Sequence, residues 1–168
     1  MQTNLITPRE VGYLSRDISQ HVDEARIETY IRESENIDIK SALGDTLFLD
    51  VKANPSKHTL LLDGGTYQAN GKKEVFSGLK TALAYYTYAR VVKNVDTNVT
   101  RFGLVHKDSE YSSEVEFKEK MQSYNDAFSI ADSYLKECVR FLSETKYELY
   151  DGKGKIISHR TRFRIIGE

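Results

Sequence analysis

The chain has a single cysteine, Cys138, in 168 residues, so no internal disulfide can form. That fits a reducing compartment. It has no apolar run approaching the roughly 20 residues that a membrane-spanning helix needs, and no membrane is expected to be a partner. Its first residues, MQTNLITPREVGY, lack a basic start followed by an apolar core, which is not the pattern of a secretory signal. Without that signal the Asn98-Val99-Thr100 triplet carries no weight as a glycosylation site. Net charge is nearly absent as well, at -1, so the chain as a whole is not a nucleic-acid footprint. Nor does it contain a G-x-S-x-G elbow, a phosphate-binding Walker loop, a dinucleotide fingerprint or an H-E-x-x-H pair. What remains is a charged globular chain of one-domain length, 39% hydrophobic and 29% charged.

The small net charge hides an uneven distribution. Residues 1–54 hold ten acids and six bases, a net of -4, and residues 151–168 hold two acids and five bases, a net of +3. Ends of opposite sign suit head-to-tail or ring assembly, and solvated surfaces of chance polarity are the plainer explanation.

Local signals point to helices over most of the chain. Thr7-Pro8-Arg9-Glu10 reads as a capping box with proline at the first helical position. Gly12 and the polar run Ser15–Gln20 keep that helix short. A second helix begins near Asp23 and runs through Ile27, Ile31, Ile37 and Leu43 to Gly44. Asp45 then caps a short helix carrying Leu47, Phe48 and Val51, ended by Asn54-Pro55-Ser56. Residues 59–76 change character: a Gly-Gly break and an Asn-Gly pair predict a small hairpin or flap. Next, with Ser77 as the cap, SGLKTALAYYTYARVVKN places Leu79, Ala82, Leu83, Tyr86 and Ala89 at helical spacing, with Tyr85, Tyr88 and Val92 widening the stripe. Residues 94–112 read as a long polar loop containing the strand-like piece VTRFGLVHK.

The strongest pattern lies beyond that loop. Phe117, Met121, Tyr124, Phe128, Ala131, Leu135, Cys138 and Leu142 recur at alternating steps of four and three, and no proline interrupts them. Asp132 and Lys136 offer an i,i+4 pair on the outer face. This helix is expected to organise the domain, with Tyr86, Phe117, Tyr124, Phe128, Leu135 and Leu142 as core or subunit-packing residues. The fold class is therefore mainly α: a small helical bundle built on one long C-terminal helix, with a hairpin-like insertion and a strand-like tail. Residues 1–150 form the domain and 151–168 a basic extended tail. In that tail Ile157, His159, Thr161, Phe163 and Ile165 alternate with Ser158, Arg160, Arg162 and Arg164. A terminal strand needs an edge to pair with. That makes Ile157, Arg160, Arg162, Phe163, Arg164 and Ile165 the candidate partner-binding residues, and pairing back onto residues 59–76 is the competing possibility.

Chemistry is hard to find. His21, His58, His106 and His159 are scattered without metal-ligand spacing and read as ordinary surface or partly buried histidines. Cys138 lies on the heptad seam and reads as a core thiol. Gly64-Gly65 reads as a turn rather than a phosphate cradle, and the acids of residues 23–35 as a solvated helix face. The tyrosines of YYTY suit core packing better than base stacking, since only Arg90 and two lysines accompany them. No catalytic residue, metal or cofactor is expected.

LITPREVGYL, a helix ending in Ala42-Leu43-Gly44, GLKTALAYYTYARVVKN, and VTRFG followed by SYNDAFSIADSYLKECVRFL together resemble the head-to-tail connector proteins of tailed phages. The likeness is to the adaptor or ring proteins of crAss-like and other Bacteroidetes phages, and covers most of residues 4–145. It implies a structural virion protein, not an enzyme, assembled in the host cytoplasm into a ring at the capsid–tail junction. Such rings usually hold twelve copies below the portal. The implied partners are the portal, the next tail or ring protein, and genomic DNA that passes through the channel without sequence recognition. Two other readings stay open: a small helical nucleic-acid-binding or regulatory protein using Arg160, Arg162 and Arg164 on phosphates, and an enzyme whose site forms between subunits.

Overall fold

A computed structural model describes residues 3–94, 97–100, 103–106 and 117–157. The fold is mainly helical. Helix α1 (Pro8–Leu14) opens with the capping box: the Glu10 amide donates to Thr7 Oγ1 and the Thr7 amide to Glu10 Oε2. Helix α2 (Glu24–Ser34) is capped by Asp23, whose carboxylate accepts from the Ala25 amide. It runs without a break into a π-helical turn, Glu35–Ile39, and on into α3 (Lys40–Leu43), which stops at Gly44. The π turn adds a residue to the helical repeat and so rotates α3 relative to α2. Its effect here is to bury Glu35, Asp38 and Ile39 together.

Helix α4 (Asp45–Ala53) starts from Gly44 with no side-chain cap, so Asp45 is a first-turn residue and not the cap. A 3-10 turn, Pro55–His58, leads into α5 (Thr59–Asp63). Residues 59–63 are thus helical, and the expected hairpin is confined to β1 (Gly65–Ala69) and β2 (Lys72–Phe76), paired antiparallel from Gly65 opposite Phe76 to Ala69 opposite Lys72. Asn70 and Gly71 make its turn with φ of 51° and 75°. The base of the hairpin closes where Gly64 and Gly78 meet. A Cβ on Gly64 would lie 2.5 Å from the Ser77 carbonyl carbon, and one on Gly78 2.4 Å from the Gly64 nitrogen. This contact accounts for the Gly-Gly break, and Gly78, not Ser77, stands directly before α6 (Leu79–Asn94).

The stretch with the adjacent tyrosines is the central helix. Leu79, Ala82, Leu83, Ala84, Tyr86, Thr87, Ala89, Arg90 and Val91 are buried, since α6 packs against α1, α2 and α7 at once. Within residues 94–112, the strand-like piece contributes to a second hairpin, β3 (Thr97–Thr100) with β4 (Gly103–His106).

Helix α7 (Phe117–Glu144) carries the heptad seam. Met121, Tyr124, Phe128, Ala131, Leu135, Cys138 and Leu142 are all buried, joined by Ala127 and Phe141. The seam faces α6, with Tyr86 edge-on to Phe128 at 5.0 Å. Near the end of α7, Phe141 stacks on Phe76 at 4.4 Å and meets Tyr67 edge-on at 5.1 Å, which clamps the first hairpin to the helix. Tyr67 also donates to Glu144 at 2.8 Å.

This core sets two expectations for stability. Phe128→Ala removes a ring held by α6 and should cost about 3–5 kcal/mol in chemical denaturation; a loss below about 1 kcal/mol would contradict the packing. Burial and the Glu144 bond push the Tyr67 hydroxyl up to about 12, whereas an unfolded tyrosine titrates near 10. The stability this contributes is complete below about pH 10 and is lost as pH rises toward 12. Melting curves of Tyr67→Phe should therefore show a shallower alkaline decline than those of the parent chain.

Candidate functional site where the C-terminal segment docks

Sequence reasoning missed three polar clusters, and each joins distant parts of the chain. In the first, Arg90 on α6 pairs with Asp38 of the π turn at 2.8 Å, donates to Ser34 Oγ at 3.0 Å, and lies 5.5 Å over the Phe128 ring. Next to it Tyr86 donates to Asp132 at 2.7 Å. Asp132 thereby turns inward and does not serve as an outer-face partner for Lys136. Burial, and then the bond to Asp132, hold the Tyr86 hydroxyl protonated far above the ordinary tyrosine range. A phenol held this way is a donor for packing, not an acid for chemistry.

In the second cluster Lys52 on α4 reaches Glu35 at 2.6 Å, with the side chains 3% and 1% exposed. Lys52 also donates to the Thr3 carbonyl at 2.6 Å, and the Leu5 amide donates to Glu35. The third cluster is built around His58, which is buried. Its Nε2 lies 2.9 Å from Asp50 and its Nδ1 2.9 Å from the Tyr147 hydroxyl. Hydrogen bonds from Asn54 and then His58 hold the Asp50 carboxyl below its usual range. His58 is therefore a fully partnered structural histidine. Cys138 is equally inert, since burial pushes its thiol up to about 12.

The His58 cluster starts a series of attachments for the chain beyond α7. The Tyr147 amide bonds back to the Leu142 carbonyl, and Lys57 pairs with Glu148 at 3.3 Å. Lys146 and Leu149 take positive φ values of 49° and 68°, which β-carbon-bearing residues rarely adopt. Farther on, the Asp151 carboxylate accepts from the Lys153 amide. Gly154 then crosses α3 so closely that a Cβ would fall 1.8 Å from the Ala42 carbonyl oxygen, and the Lys155 amide donates to the Ser41 carbonyl at 2.7 Å. Only glycine can pass there. Residues 151–157 thus lie along α3, away from any strand ladder, and Ile157 ends the described chain 39% exposed.

The sequence-derived candidates divide accordingly. Tyr86, Tyr124, Phe128, Leu135 and Leu142 are buried in the chain's own core, and Phe117 is the first residue of α7. Ile157 stands at the docked segment. Arg160, Arg162, Phe163, Arg164 and Ile165 lie outside the described residues, as does the strand expected over residues 155–166 beyond Ile157. Of the other histidines, His21 is exposed, His106 lies on β4, and His159 lies outside the described residues. Among the described residues no group of three or more His, Cys, Asp or Glu side chains is placed to hold a metal ion, and no helix is long and apolar enough to cross a membrane.

These features define a helical domain whose buried charges serve as fasteners, with its C-terminal segment strapped across α3. The chain belongs to DUF6712, a family of unknown function, whose model matches residues 39–160. That match begins at the end of the π turn and takes in α3, both hairpins, α6, α7 and the docked segment. Neither the curated proteins nor the solved structures include a match to this chain.

The docking makes a specific prediction. Gly154→Ala should lift residues 153–157 from α3 and raise hydrogen exchange at the Lys155 amide at least tenfold, while the domain melts within a few degrees of the parent. Unchanged protection at Lys155 would show that the segment is not held there.

Proposed function

We propose that this protein is a structural virion component, a head-to-tail connector whose copies form a ring between portal and tail. The reading rests on the resemblance carried by GLKTALAYYTYARVVKN and SYNDAFSIADSYLKECVRFL. The observation that carries it furthest is the anchorage of residues 147–155. Several fixed points, at Tyr147, Glu148, Gly154 and Lys155, hold this segment on the domain. Such anchorage suits an arm whose far end has work to do. Beyond it the sequence alternates apolar residues with Arg160, Arg162 and Arg164. An alternating segment of that kind adds a strand to a foreign sheet edge, where main-chain bonds supply affinity and side chains on one face fill pockets. Ile157, Phe163 and Ile165 would fill those pockets, with the arginines meeting acids or solvent on the other face. The portal is the proposed recipient.

Deleting residues 158–168 tests this while leaving every described anchor intact. The truncated chain should keep its melting temperature within a few degrees and fail to attach to portal-bearing capsids. Attachment equal to that of the full chain would remove the arm from the mechanism. Retention on DNA with a steep salt dependence, lost on truncation, would instead favour nucleic-acid binding.

A further inference from the structure

The N-terminal arm walls a cavity. Lys52 Nζ donates to the Thr3 carbonyl, Glu35 accepts from the Leu5 amide, and the two charged groups pair with each other. These bonds fix the arm, and the space left between it, α2, the π turn and α4 measures about 410 Å³. Pockets for small ligands run from roughly 300 to 1,000 Å³. Ile6 and Phe48, 2% and 4% exposed, give the cavity an apolar floor. Its rim includes Glu28, Arg32 and Asn36, all exposed. Asn36 belongs to the π turn, and single π turns within α-helices fall frequently at functional sites.

The rim holds charges that the chain itself does not use. Glu28 and Arg32 stand four residues apart on α2, the spacing of a helix ion pair, yet they do not pair. Among the described residues the Glu28 carboxylate has no ion pair or hydrogen bond, and the Arg32 side chain makes one long bond, to Thr29 Oγ1 at 3.4 Å. Asn36 Nδ2 donates to the Arg32 carbonyl at 2.8 Å, and its Oδ1 has no partner among the described residues. The inner pair, Lys52 with Glu35, is satisfied by itself and by the arm. An unmatched cation, an unmatched anion and a spare acceptor therefore surround an apolar floor. Two acids and two cations line the cavity in all, so a ligand of net charge meets no excess of the opposite sign.

We infer that this cavity binds a small zwitterion of the α-amino-acid class with an apolar side chain. The ligand's carboxylate meets the Arg32 guanidinium, a charge-assisted contact that this planar group favours. Its ammonium meets the Glu28 carboxylate and Asn36 Oδ1, and its side chain lies on Ile6 and Phe48. The arm stays in place throughout, as one wall of the site. This goes beyond the connector reading and does not depend on it.

The full chain, labelled for amide NMR, is titrated at neutral pH with L-leucine, L-isoleucine and L-phenylalanine, and with two blocked forms, N-acetyl-L-leucine and L-leucinamide. At least one free amino acid should give saturable shifts at residues 28–36 and 48–52. Each blocked form lacks one charge and should bind at least tenfold more weakly than L-leucine. Two exposed-residue variants then assign the charges. Glu28→Gln should remove the preference for L-leucine over N-acetyl-L-leucine, and Arg32→Gln the preference over L-leucinamide, while both variants melt within a few degrees of the parent. No saturable shift with any of the three amino acids up to about 10 mM would overturn the inference. Binding unchanged in both variants, or equal binding of the blocked and free forms, would overturn it as well.

Discussion

Two carboxylates buried on one π turn set the terms for much of this structure. Glu35 and Asp38 are each about 1% exposed, and an uncompensated charge at such depth is strongly destabilising. Each therefore has a cation delivered from a different direction. Lys52 comes from α4 and brings the N-terminal arm with it. Arg90 comes from α6 and lies over Phe128 of α7. A single turn of helix thus ties together α2, α4, α6, α7 and the N-terminus. Removing one partner of such a pair typically costs about 3–5 kcal/mol, comparable to the loss of a large core side chain. The apolar seam between α6 and α7 supplies bulk stabilisation, and the ion pairs fix how the remaining helices sit upon it.

The division of labour between the core and the chain ends comes from that arrangement. The half around α6 and α7 is apolar and locked by rings, with Tyr86 against Phe128 at one point and Phe141 against Phe76 at another. The chain ends are attached differently. The N-terminal arm is held by main-chain bonds to a charge pair, and the C-terminal segment by His58, Lys57 and a glycine crossing over α3. Attachments of this kind fix a segment at defined points through a few polar bonds and a close backbone approach. The contact proposed with the portal falls at the C-terminal end and not on the bundle.

Much of the fold is legible in the sequence. The heptad steps from Met121 to Leu142 require a long helix with one buried face, Thr7 and Glu10 mark the first cap, and Asn70-Gly71 marks the hairpin turn. The π turn is not legible, because no proline or glycine interrupts the chain from Ile31 to Leu43, and nothing local announces the extra residue. Its consequence, the burial of Glu35 and Asp38, is hidden with it, and the acids around Glu35 read as a solvated face. Residues 59–63 join the expected hairpin because a short apolar run does not separate a helix from a strand. A weak signal for Lys52 exists: it follows Phe48 and Val51 on α4, beside an apolar stripe where a lysine needs a buried partner. His58 and Tyr147 are 89 positions apart, and only the folded chain brings them together.

A connector has one address in a finished particle, and electron microscopy of tailed particles carrying a gold-labelled copy of this chain tests that address most directly. The connector reading predicts label at one vertex per particle, at the junction of capsid and tail. Label scattered over the capsid, distributed along the tail, or absent from finished particles would contradict it.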